Sequence, residues 1–104
     1  MTVNLDGRSL TIEQVVEVAR QGAQVALTEE AHRAVKKARD YVDRKLNEGA
    51  VIYGLTTGFG KFSDTLIAPE DTAQLQRNLI ISHACGMGAP LPRETVRAAM
   101  ALRC

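Results

Sequence analysis

The sequence predicts a mainly α fold of antiparallel helices with a small β element near the N-terminus. Three observations lead there. Apolar residues recur at helical spacing in four stretches, and capping residues or prolines stand at their starts. Short extended segments fall at residues 2–5 and 9–10, on either side of an Asp6-Gly7 turn. Aromatic residues make up only 4% of the chain and Trp is absent, so Leu, Ile, Val and Ala must build the core.

The first helix opens at Thr11, with Gln14 three residues on as its capping-box partner. Ile12, Val15, Val16 and Ala19 give its apolar side, and Gly22 is the stop. The second opens after Thr28, where Glu29 and Glu30 complement the dipole of the first turn. Ala31, Val35, Ala38, Val42 and Leu46 form one narrow stripe along it, and Gly49 ends it. Pro69 suits the first position of a third helix, with Glu70 and Asp71 behind it and Leu75, Leu79 and Ile80 on its buried side. Gly86-Met87-Gly88-Ala89-Pro90 breaks that helix. A fourth starts near Pro92 or Arg93, carries Val96, Ala99, Met100 and Leu102, and reaches Cys104 without a stop signal.

Composition bounds the function. The chain has 104 residues, 45% hydrophobic and 24% charged, which suits one domain with one modest core. Thirteen Lys and Arg against twelve Asp and Glu give a net charge of +1, which argues against a dedicated nucleic-acid binder. No apolar run approaches the ~18 residues that span a bilayer, and the N-terminus has no signal-peptide pattern. Cys85 and Cys104 form no disulfide framework. A cytoplasmic protein with no nucleic-acid or membrane partner is the expectation.

Tyr53-Gly54-Leu55-Thr56-Thr57-Gly58-Phe59-Gly60 is the least ordinary stretch, following the short apolar run Val51-Ile52-Tyr53. Its glycines let a backbone turn sharply or approach a ligand closely. A phosphate loop does not fit: five residues separate Gly54 from Gly60, and Lys61 is followed by Phe62 rather than Ser or Thr. The Rossmann glycine spacing fails too. Tyr53 reads either as a functional phenol at the edge of a mobile loop or as a packed tyrosine whose hydroxyl meets water. A phenol acts as a base only when its pKa falls from about 10 toward the working pH.

His83 continues the apolar face of the third helix, four residues beyond Leu79. A histidine there reads first as a satisfied helix-end residue, since a cation is favoured at that terminus. His83 and Cys85, two apart, diverge, and no metal is expected. His32 and the basic residues of the second helix read as a solvated face.

The loop string, together with Leu75-Gln76-Arg77-Asn78-Leu79-Ile80 and Ser82-His83-Ala84, resembles the N-terminal part of the histidine ammonia-lyases. These belong to the wider family of aromatic amino acid lyases and aminomutases. The resemblance runs over essentially the whole chain, including Gly88-Ala89-Pro90-Leu91 and Val96-Arg97. It implies a lyase that eliminates ammonia from L-histidine to give urocanate. Tyr53 would be the catalytic base that takes the β-proton. His83 would lie in the substrate side-chain pocket, where its hydrogen-bonding capacity suits an imidazole. Gly54, Thr57, Gly58, Phe59 and Gly60 would belong to the active-site lid that excludes water.

The family's electrophile, 4-methylideneimidazole-5-one, forms by cyclisation of an internal Ala-Ser-Gly, and these 104 residues contain none. The resemblance therefore implies one N-terminal domain over residues 1–104 of a longer lyase, inactive alone. The complete enzymes are homotetramers, so self-association is implied as well. Two alternatives stand beside this reading. One is a segment of a tyrosine or phenylalanine lyase or aminomutase; the other is a non-catalytic helical interaction module.

Overall fold

The computed structural model describes all 104 residues, Met1–Cys104. Strand β1 is Thr2–Leu5, helix α1 Ile12–Arg20, strand β2 Gln24–Leu27 and helix α2 Glu29–Asn47. Helix α3 follows at Thr72–His83 and α4 at Arg93–Leu102, with short 3-10 turns at Gly60–Phe62 and Pro69–Asp71. No helix is long and apolar enough to cross a membrane. The chain forms two compact units, Met1–Lys37 with Ala89–Cys104, and Ala38–Gly88.

In the first unit, β1 pairs with β2 in parallel, with Val3 opposite Val25 and Leu5 opposite Leu27. Residues 9–10, expected to be extended, form no strand, so the β element is not built locally around the Asp6-Gly7 turn. Asp6 does close a turn, its carboxylate accepting from the Arg8 and Ser9 amides and the Ser9 hydroxyl. The chain then enters α1 rather than returning beside β1, and a parallel partner needs such a crossover.

Thr11 caps α1 as the sequence predicts. Its hydroxyl accepts from the Gln14 amide at 3.2 Å, and the Gln14 side chain accepts from the Thr11 amide at 3.0 Å. At the other end the Ala23 amide bonds back to the Glu17 carbonyl, around Gly22. The core is small: Val3, Leu5, Val18, Ala23 and Ala101, with Leu10 and Leu27 packed on it. Val18 is the buried residue of α1, whereas Ile12, placed on the apolar side by its spacing, is 79% exposed. Helix α1 packs on α4. Arg20 pairs with Glu94 at 2.6 Å, and Arg97 Nε donates to the Val18 carbonyl at 2.9 Å. Those contacts run in opposite senses along the two helices, so the pair is antiparallel. Arg20 and Glu94 are well exposed, so their pairing adds little beyond orientation.

Helix α2 starts where Thr28 accepts from the Ala31 amide at 3.1 Å, and Gly49 follows its end. Its apolar stripe is only partly covered: Ala31, Val42 and Leu46 are half-buried, no residue of α2 is buried, and Val35 is 62% exposed. In the second unit, residues 50–67 fold back on themselves and α3 follows. Pro69 opens a 3-10 turn that leads into α3, as its position predicts. Leu75 and Leu79 are partly covered, but Ile80 is exposed, so the buried side of α3 is narrower than its spacing suggests.

Candidate active site

The loop after α2 is held by two buried threonines. Thr56 Oγ1 accepts from the Ile52 amide at 2.8 Å and donates to the Ala50 carbonyl at 2.9 Å. Thr57 Oγ1 accepts from the Gly54 amide at 3.1 Å and donates to the Gly58 carbonyl at 3.0 Å. Two backbone bonds, Gly58 to Thr65 and Ile67 to Thr56, fasten the loop to its return strand, with Thr57 bridged antiparallel to Leu66. Every buried side-chain polar atom has a partner. This is an ordered scaffold.

Two glycines are required by that geometry. Gly54 sits at φ +72°, where a side chain is strained, and a Cβ there would stand 2.6 Å from the Phe59 ring. Gly58 has an ordinary φ, but its Cβ would lie 2.5 Å from the Phe62 Cβ and 2.8 Å from the Phe62 carbonyl oxygen. The loop doubles back too tightly at that point for any side chain.

Tyr53 is 63% exposed, and its ring meets Phe59 edge-on at 5.9 Å. The Tyr53 oxygen accepts a hydrogen bond from the Gly60 amide at 3.0 Å, which ties one end of the glycine loop to the other. His83 is the last residue of α3. Its Nδ1 lies 2.9 Å from the Leu79 carbonyl oxygen and 3.0 Å from Ser82 Oγ, so the ring is fastened to its own helix.

Beneath the loop lies a hollow of about 390 Å³, lined in part by Gly58, Phe59, Phe62, Leu79, Ser82 and His83. That volume suits a small-molecule ligand. Of the residues singled out from the sequence, Gly58, Phe59 and His83 meet there. Tyr53 does not line the hollow; it reaches it only through its ring contact with Phe59. Gly54, Thr57 and Gly60 shape the loop without lining the hollow.

Sequence reasoning gave no site role to Gln76. Its Nε2 donates to the Gly54 carbonyl at 2.7 Å, joining α3 to the peptide next to Tyr53. A signal was present: Gln76 and His83 are seven apart, two helical turns, and so share a face of α3.

A mainly helical chain with a two-stranded parallel sheet, and a glycine loop over a hollow floored by a helix-end histidine, has close counterparts among known proteins. Residues 10–104 match the family model described as aromatic amino acid lyase, and the chain belongs to that family. It is 56% identical over 101 residues to a histidine ammonia-lyase of Caldanaerobacter subterraneus subsp. tengcongensis, and 52% identical to one of Streptococcus gordonii. Each of these alignments covers 97% of this chain and 20% of the relative, so the chain spans about a fifth of their length.

Solved structures agree. The fold superposes on an ergothioneine-degrading ergothionase of Treponema denticola with a TM-score of 0.92 at 36% identity, over 99% of this chain and 21% of that one. A tyrosine aminomutase of Streptomyces globisporus gives 0.90 at 32% identity, over 97% and 19%. Histidine ammonia-lyase from Trypanosoma cruzi gives 0.86 at 38% identity, over 99% and 20%.

Proposed function

We propose that the chain is a single N-terminal domain, residues 1–104, of a longer histidine ammonia-lyase that eliminates ammonia from L-histidine to give urocanate. The observation that carries this reading is the hollow where His83 meets Gly58 and Phe59 of the loop. Identity of 52–56% to histidine ammonia-lyases favours histidine over the tyrosine of the aminomutase that shares the fold.

Tyr53 is the base that removes the β-proton at its phenol oxygen, which the Gly60 amide orients. His83 contacts the substrate ring from the end of α3. The segment Gly54 to Gly60 covers the substrate and keeps water out, with Thr56 and Thr57 fixing its shape. In the family, 4-methylideneimidazole-5-one would supply the electrophile for loss of the amine. Its Ala-Ser-Gly precursor does not occur among these residues, so they do not fit that group and no step here passes through it.

Exposed apolar residues such as Val35 on α2 and Ile80 on α3 suit packing against further protein, as in a self-associating enzyme. The alternative of a helical interaction module shares that feature but gives no role to the hollow.

The test uses the complete protein that carries this chain and follows urocanate absorbance. Tyr53→Phe is expected to lower kcat by about 100-fold or more, the scale of a lost general base. His83→Phe is expected to weaken histidine use and relatively favour phenylalanine. Unchanged rates in Tyr53→Phe, or unchanged selectivity in His83→Phe, would refute the corresponding role.

A further inference from the structure

Gly54 follows Tyr53 directly, and it is the softest point of the backbone beside the phenol, because a glycine has no side chain to restrict φ and ψ. Both of its peptide groups are nonetheless held by side chains. Thr57 Oγ1 accepts from the Gly54 amide at 3.1 Å, and Gln76 Nε2 donates to the Gly54 carbonyl at 2.7 Å. The two bonds differ in origin. Thr57 belongs to the loop and moves with it, whereas Gln76 stands in the second turn of α3. No other hydrogen bond joins α3 to residues 50–67.

The Tyr53 ring has two further contacts, the Gly60 amide on its oxygen and Phe59 edge-on. Both come from the same loop, so they set its shape and not its place relative to α3. The polar bond that sets the place is the one from Gln76. A primary amide suits the task, since its N–H reaches a carbonyl that can only accept.

We infer that Gln76 is a positioning residue for proton removal, holding the Gly54 carbonyl so that the Tyr53 phenol stands at a fixed place relative to α3 and to a substrate bound beside that helix. The statement rests on the proposed lyase function and deepens it. Gln76 does not line the hollow, so its loss shifts the base and leaves the substrate's own contacts in place. The effect therefore falls on the chemical step rather than on binding.

In the complete protein, Gln76→Met keeps the length and helix propensity of the side chain but has no N–H to donate. It is expected to lower kcat for L-histidine about ten-fold with KM changed by no more than about two-fold, inside the roughly hundred-fold that a misplacement of about 1 Å can cost. Gln76→Ala, which leaves nothing to disturb the packing, is expected to give the same split. With L-histidine deuterated at its β-carbon, the isotope effect on kcat should rise in both variants, because proton removal becomes the slower step. A variant that merely folds less well loses active protein, so its rate falls at an unchanged isotope effect. Wild-type kcat in both variants, or a fallen kcat with the wild-type isotope effect, overturns the positioning role while the lyase reading stands. Absence of urocanate from the unsubstituted protein sinks the lyase reading and this role with it.

Discussion

Gln76 reaches from the middle of α3 to the carbonyl of Gly54, twenty-two residues earlier, with its Nε2 donating at 2.7 Å. The bond is partly buried, and it lands on the peptide beside Tyr53. The helix that carries His83 at its end therefore also steadies the segment that carries the phenol. Within this unit the histidine and the tyrosine are linked through one side chain and one carbonyl.

Removing that link should loosen the loop more than it unfolds the unit. Gln76→Ala is expected to cost about 1 kcal/mol, a typical net value for a hydrogen bond. Amide exchange should quicken at residues 54–60 while the amides of α3 stay protected. Gln76→Glu replaces the donor with an acceptor facing a carbonyl, and is expected to loosen the loop further. Equal exchange rates across wild type and both variants would show that the bond restrains nothing.

The tight return at Gly58 makes a second prediction. A Cβ there meets the Phe62 carbonyl oxygen at 2.8 Å, and backbone cannot swing aside as a side chain can. Gly58→Ala is expected to cost about 1–3 kcal/mol, as overpacking does, and to disrupt the Gly60–Phe62 turn. Gly86 supplies the control in the same unit, because its φ is ordinary and a Cβ there meets nothing within 4 Å. Gly86→Ala should be neutral or slightly stabilising through the unfolded chain. Denaturant midpoints of the two variants decide the matter; similar midpoints would contradict the close approach at Gly58.

Local signals were legible in the sequence and distant pairings were not. Thr11 with Gln14, Thr28 before α2, Pro69 before α3 and Pro92 before α4 each act within one helical turn, so residue type and spacing suffice. Strand β2 escaped notice because Gln24–Leu27 is four residues long and pairs with residues more than twenty positions away. Ile12 and Ile80 were placed inward by periodicity, yet spacing shows only which residues share a face, not whether anything covers it. In the candidate site, the glycine-rich loop stood out by composition, whereas His83 read first as a helix-end residue and took a site role only from the family resemblance. Gln76 took no role, because a polar residue on a helix acquires meaning only from what the fold brings opposite it.

Asp6 gives a prediction in pH. Hydrogen bonds from the Ser9 hydroxyl, the Ser9 amide and the Arg8 amide stabilise its carboxylate, in that order, and hold its pKa down from the usual 3.8 to about 2. A lowered folded value means that ionised Asp6 favours the folded turn. That contribution is fully present above about pH 4 and is lost as pH falls toward 2, where both folded and unfolded forms are protonated. Carbon-detected titration of the Asp6 carboxyl should show a midpoint near 2. Ser9→Ala removes the largest cause and should move the midpoint up toward the ordinary value. A wild-type midpoint near 4 would mean that the turn does not hold in solution.

Thr56 tests whether the loop's internal hydroxyl is structural. Its Oγ1 accepts from the Ile52 amide and donates to the Ala50 carbonyl, and the side chain is buried. Thr56→Val keeps the shape but leaves the Ile52 amide without its acceptor and the Ala50 carbonyl without its hydroxyl donor. Stranding buried polar groups costs about 1–3 kcal/mol. Thr56→Ser retains the hydroxyl and loses one methyl, so it should cost less, about 1 kcal/mol. The expected order of stability is therefore wild type, then Ser, then Val, read from denaturant unfolding. If Val proves as stable as wild type, the hydroxyl network is replaceable by packing alone, and the order of the loop must come from its backbone bonds.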